Sequence, residues 1–189
     1  MKKLTLTIVA FLGLFAGAMA QSTATHQVDI TINSVAMIRA VNETSSTVNP
    51  LTFNVGYGMF NSLTAGEEPI IDQLPWGKLF LQYTSIKAST GTPRTIKAAL
   101  TTGTIPAGLS LKATAATPTG GSGDVGLTNN IQTLSATAAT MIKNIGSGYT
   151  GIATTNGAEI TYSSTITTMA SLKATASTAL TVTYTLSNE

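Results

Sequence analysis

Cysteine is absent from the 189 residues, and histidine and tryptophan occur once each, as His26 and Trp76. Without cysteine there is no disulfide framework, no thiolate metal site and no thiol nucleophile, and acylation of a new N-terminal cysteine is excluded as an anchor. A single histidine cannot furnish a Ser-His-Asp triad or a multi-histidine zinc site. Charged residues make up only 10% of the chain, too few for a basic surface that neutralises phosphates, so nucleic acid is not an expected partner. No glycine-rich phosphate-cradling loop runs from a strand into a helix.

The remaining reactive groups are carboxylates. Glu67, Glu68 and Asp72 surround Pro69, and a suitably spaced pair could serve glycoside hydrolysis. Adjacent glutamates in a Gly/Pro-containing stretch are more simply a solvated turn. Asp124 lies in the glycine-rich stretch 120–126, but one carboxylate cannot supply the six to eight oxygens that calcium takes. The expectation is a non-enzyme: no catalytic residue, no cofactor and no metal. Asn42-Glu43-Thr44 fits the N-glycosylation triplet, a pattern short enough to arise by chance.

The N-terminus is the strongest positional signal. Lys2 and Lys3 precede an uncharged apolar run that closes on Ala18-Met19-Ala20, the pattern of a secretory signal peptide cut before Gln21. Residues 4–20, interrupted by Gly13 and Gly17, fall short of the roughly 20 apolar residues of a membrane-spanning helix. The expected organisation is a signal peptide at 1–20 and a single domain at 21–189, with no transmembrane segment after cleavage. The expected location is the periplasm, the cell surface or the exterior of a bacterium. Of ten basic residues two leave with the signal, so eight face eight acidic ones and the mature chain is close to neutral. At 169 residues the mature chain is long enough to be held by its own core, burying roughly 70% of its unfolded surface.

What is abundant is hydroxyl. The chain holds 35 Thr and 16 Ser, and the β-branched threonine suits a pleated, half-exposed surface. Residues 180–186 alternate Leu180, Val182, Tyr184 and Leu186 with Thr181, Thr183 and Thr185, a strict period of two. Val28, Ile30 and Ile32 alternate with Asp29 and Thr31 in the same way near the start of the mature chain. Further strands are expected at 51–57, 78–86, 95–100, 109–113, 131–134, 141–145 and 159–166, each bounded by Gly, Pro or Asn turn signals. Asn156-Gly157 predicts a type I′ hairpin joining 149–154 to 158–166. The segment 129–143 could instead form one short helix. Six residues, Ser-Leu-Lys-Ala-Thr-Ala, occur at both 110–115 and 171–176, read as coincidence rather than duplication. The stretch 118–126 reads as a mobile loop. Fold class follows: all-β, an antiparallel immunoglobulin-like β-sandwich of about eight or nine strands with at most one short helix. An outer-membrane barrel is disfavoured, because its strands need aromatic girdles that this chain lacks.

Two surfaces offer functions of different kinds. Trp76, between Pro75 and Gly77, and Tyr83 could form a platform that stacks on sugar rings, making the protein a secreted carbohydrate-binding module; the simpler place for a lone tryptophan is the core. The alternative rests on Val28, Ile30 and Ile32, which would either form the first strand of their own sheet or insert as a donor strand into a neighbouring subunit. The ending 180–186 resembles the last strand of WxL-type surface domains, with Tyr184 where that family places tryptophan. Residues 105–111 (Ile-Pro-Ala-Gly-Leu-Ser-Leu) and 160–163 (Ile-Thr-Tyr-Ser) are similar in style to those domains, to cysteine-free fimbrial subunits and to spore-coat-like pilins. The chain departs from the first family in lacking a W-x-L triplet. The resemblance implies a structural or adhesive surface protein, partnered by itself, by other envelope proteins or by a glycan.

Overall fold

The computed structural model describes residues 27–43, 53–56, 65–73, 78–175 and 178–189. The chain divides into two units, residues 1–32 and 33–189. In the first, residues 27–32 form no strand. The second is all-β, with thirteen strands and one three-residue 3-10 turn, Met169–Ser171, among the described residues.

One sheet is built around β4 (Leu79–Ile86). On one side β4 pairs with β1 (Val35–Asn42) along its whole length. On the other, its first half pairs with β12 (Ala158–Ile166) and its second half with β11 (Gly148–Tyr149). The sheet continues from β12 to β6 (Leu109–Ala115) and β9 (Gln132–Thr133), and from β11 to β7 (Ser122–Gly123). The second sheet has the order β13 (Thr181–Asn188), β5 (Arg94–Thr102), β10 (Ala139–Ile145), β8 (Leu127–Thr128). A separate hairpin pairs β2 (Phe53–Gly56) with β3 (Ile70–Gln73). All pairings are antiparallel, and the two larger sheets pack as a β-sandwich. Nine of the strands have four or more residues.

Alternation decides what lies between the sheets. Leu79, Leu81 and Tyr83 of β4, Ala158 and Ile160 of β12, and Leu111, Ala113 and Ala115 of β6 meet Ile96 and Ala98 of β5 and Met141, Ile142 and Ile145 of β10. The small alanines on β6 and β12 let larger chains of the opposite sheet interdigitate at native density. Strand β10 buries the adjacent residues Met141 and Ile142 because its pairing with β5 shifts register on both sides of Ile142. Asn144, at φ 58°, supplies the left-handed residue in that irregular stretch.

β4 is buried on both faces. Phe80 and Gln82 point away from the core but are covered. Gln82 Nε2 donates to the carbonyls of Ala153 (2.7 Å) and Asn156 (3.2 Å), which pins the 150–157 loop over the sheet. Arg39 Nε and Nη2 donate to Gln82 Oε1 from β1 at 2.9 and 2.6 Å. The predicted hairpin at Asn156-Gly157 is therefore absent. Gly157 has φ 107° and lies so close to Leu81 that a Cβ would sit 2.3 Å from its carbonyl oxygen, but Asn156 is not left-handed, so no type I′ turn forms. β11 stops at Tyr149, and β12 pairs with β4 and β6 instead.

Three other segments can be compared with expectation. Segment 129–143 forms β9 and the start of β10, not a helix. The glycine-rich stretch 118–126 is docked: Asp124 N donates to the Ser147 carbonyl at 2.9 Å, and Gly146 N to the Asp124 carbonyl at 3.0 Å. Gly121, at φ 66°, approaches Tyr149 so closely that a Cβ would fall 1.7 Å from its carbonyl oxygen, which fixes glycine there. Lastly, of the two copies of the six-residue echo, 110–115 is strand, whereas 171–175 is the end of the 3-10 turn and coil. The match carries no structural repeat.

Candidate functional site

Backbone alternation built Val28, Ile30 and Ile32 for a sheet, yet no sheet holds them. Residues 27–34 are outside any strand, and the three side chains are 68, 82 and 77% exposed. The first described strand is β1, which starts at Val35. Within the segment the hydrogen bond described runs from Gln27 Nε2 to Asp29 Oδ1, at 2.9 Å.

Where β1 begins, Arg94 fixes the chain. Its guanidinium donates to the carbonyls of Val35 and Ile86, to Ser85 Oγ (2.8 Å) and to Ser34 Oγ (2.8 Å), and its Nε to Asn188 Oδ1 (3.2 Å). Ser34 Oγ in turn donates to the Ile86 carbonyl at 3.0 Å, and Ser85 Oγ to the Gly146 carbonyl at 2.6 Å. Arg94 is 6% exposed and pairs with no carboxylate among the described residues; neutral oxygens satisfy its donors. The group joins the start of β1, the ends of β4 and β13, and the start of β5. Sequence reading did not find it, because a lone arginine opening a strand gives no periodic signal.

From that end, β1 and β13 form the edges of their respective sheets. β13 pairs with β5 through eight positions, and no described strand pairs with its other side. Its inward row of Val182, Tyr184 and Leu186, with Leu180 just before it, packs on the core but stays half-buried, as do Leu100 of β5 and Ile38 of β1. Tyr184 reaches across to β12, where its hydroxyl lies 2.5 Å from that of Tyr162. Burial raises both phenol pKa values above the ordinary 10; the shared hydrogen bond and the neighbouring Tyr162 push Tyr184 further up, while the bond partly offsets the rise at Tyr162. Such groups stay neutral through the physiological range and serve as a polar tie between sheets.

Of the two residues expected to form an aromatic platform, Tyr83 is not on the surface. Tyr83 is 3% exposed, faces the core, and donates its hydroxyl to the Val125 carbonyl at 2.5 Å; burial also raises its pKa. No face of its ring is open to a sugar. Trp76 lies outside the described residues. The surface aromatic on this sheet is Tyr149, half exposed, next to Thr84 and across from Met37.

Of the carboxylates, Glu67 and Glu68 are exposed in the turn before β3, Asp72 lies within β3, and Asp124 is exposed beside β7. Glu159 pairs with Lys78 at 3.3 Å on the surface. Two open hollows, of about 360 and 300 Å³, have one carboxylate between them among their described lining residues, that of Glu159. No group of three or more His, Cys, Asp or Glu among the described residues could hold a metal, and no described helix is long and apolar enough to cross a membrane. Compared with family models, with curated proteins and with solved structures, the chain finds no match, so its fold and edges are what a functional reading has to rest on.

Proposed function

We propose that this protein is a non-enzymatic structural or adhesive subunit of the bacterial envelope, exported by its N-terminal signal, that assembles by strand addition. The observation that carries the reading is the exposure of Val28, Ile30 and Ile32 outside any strand. Three β-branched side chains alternating on an extended backbone fit pockets along a sheet edge, and main-chain hydrogen bonds add affinity. Left in water, each forgoes about 1.5 to 3 kcal/mol of burial. A monomer keeping them exposed gives up stabilisation that an assembly recovers. The hydroxyl-clad outer faces and near-neutral mature charge suit packing of like subunits without mutual repulsion.

The test is sedimentation and electron microscopy of the secreted protein, residues 21–189, with and without residues 21–32. The expected result is concentration-dependent oligomers or filaments that the deletion abolishes. A deletion variant that assembles like the parent would overturn the reading.

A further inference from the structure

Strand addition needs an acceptor, and the edges of this sandwich are not equivalent. β8 and β9 are two residues long, too short to template a partner. β1 is long but carries Arg39 in its middle, and its core-facing row is shallow: exposed Ala36 and Ala40 flank Ile38. A charge on an edge strand and an edge with little to cover are the usual means by which sheets avoid joining one another. β13 has neither. Its eight residues, Thr-Val-Thr-Tyr-Thr-Leu-Ser-Asn, include no charge and no proline, and its inward row is only partly buried.

Resting on the strand-addition reading above, we infer that the free edge of β13 is the acceptor, and that its occupant is residues 27–32 of a second copy of this chain. Six extended residues span about 20 Å, within the reach of an eight-residue edge. The apolar side chains Val28, Ile30 and Ile32 repeat at the same two-residue period as Val182, Tyr184 and Leu186, so one face of the incoming strand would complete the cover over the half-buried row. The other face would set Asp29 and Thr31 beside Thr181, Thr183 and Thr185 in water. A second copy is the occupant because Val28, Ile30 and Ile32 are exposed and no described strand pairs with the free side of β13.

The absence of cysteine makes the proposal directly testable, since any disulfide must come from introduced thiols. Thr31→Cys is prepared in one batch of residues 21–189, and Thr183→Cys or Thr185→Cys in another; both β13 positions are exposed and off the core. Facing residues of neighbouring strands have Cβ atoms about 4.5 to 5.5 Å apart, near enough for a bridge with slight adjustment. Mixed under mild oxidation, the batches should yield a covalent heterodimer as the main crosslinked species. That product should be lost when Val28, Ile30 and Ile32 of the Thr31→Cys chain are changed to Asp. Preferential crosslinking of Thr31→Cys to Met37→Cys on β1 would overturn the β13 assignment while leaving strand addition standing. A Thr31→Cys/Thr183→Cys double variant that closes only within one chain would overturn the second copy as the occupant. Absence of both crosslinks and of any N-terminus-dependent assembly would defeat the inference together with the reading beneath it.

Discussion

β4 and β13 are strands of equal length with alternating inward apolar residues, yet they end in opposite environments. β4 has strands on both sides and a loop over its outer face, so Leu79, Leu81 and Tyr83 are buried. β13 pairs with one strand, β5, and its inward Val182, Tyr184 and Leu186 remain partly exposed. Alternation declares which face a residue takes; the neighbouring strand decides how dry that face becomes. β4 lies inside its sheet and β13 at an open edge, and that edge belongs to a chain that also leaves three β-branched side chains in water.

That contrast can be broken by mutation. Leu81→Ala inside the sheet should cost about 3 kcal/mol, since Leu81 is fully buried, while Val182→Ala at the edge should cost about 1 kcal/mol. Urea midpoints of the two variants measure the difference, and equal losses would mean that the β13 flank is as closed as β4. Next in size, Arg94→Met should destabilise by about 2 kcal/mol, because the carbonyls of Val35 and Ile86 and the hydroxyls of Ser34 and Ser85 lose their shared donor. Hydrogen exchange should then speed up in β1 ahead of β6, which the guanidinium does not touch.

The tyrosines set the behaviour in alkali. Tyr83, Tyr162 and Tyr184 have phenol pKa values raised in the folded state, chiefly by burial. Their contribution is present in full below the unfolded value of about 10 and is lost as pH climbs above it, because the unfolded phenols ionise first. Stability should be insensitive to these groups from pH 6 to about 9.5 and fall steeply beyond pH about 10, with phenolate absorbance appearing together with loss of the near-ultraviolet circular dichroism. Phenolate that appears at ordinary pKa while the fold persists would show that the sheets are not tied through dry hydroxyls. Tyr184→Phe should cost about 1 kcal/mol at neutral pH, the worth of one hydrogen bond, and soften the alkaline transition. The smallest effect belongs to Thr95, whose buried Oγ1 finds no hydrogen-bond partner among the described residues. Thr95→Val should be neutral or stabilise by up to about 1 kcal/mol, read from the same urea midpoints.

The strands that alternate cleanly were legible in the sequence: 78–86, 109–113, 159–166 and 180–186 all fall on observed strands. So was the class of fold, because short β-branched segments set off by turn residues, with strict apolar/Thr alternation at 180–186, suit a sheet and no helix. What escaped was set by tertiary context. β1, Val-Ala-Met-Ile-Arg-Ala-Val-Asn, has apolar residues on both faces and no alternation, and it is a strand because all eight of its residues pair with β4. Val28 to Ile32 alternates well and is no strand, because alternation describes a fitness for pairing and cannot supply the partner. Asn156-Gly157 carried a turn signal, but Gln82 holds the preceding loop over β4 instead. The open β13 edge and the Arg94 node depend on which strands are neighbours, information that periodicity does not contain.

Sedimentation velocity of residues 21–189 across a concentration series, beside the variant Val28→Asp/Ile30→Asp/Ile32→Asp, tests the strand-addition reading most directly. All three positions are exposed, so the variant should fold with an unchanged urea midpoint. The parent is expected to form larger species as concentration rises, and the variant to sediment as a monomer throughout. A parent that stays monomeric, or a variant that assembles equally well, contradicts it.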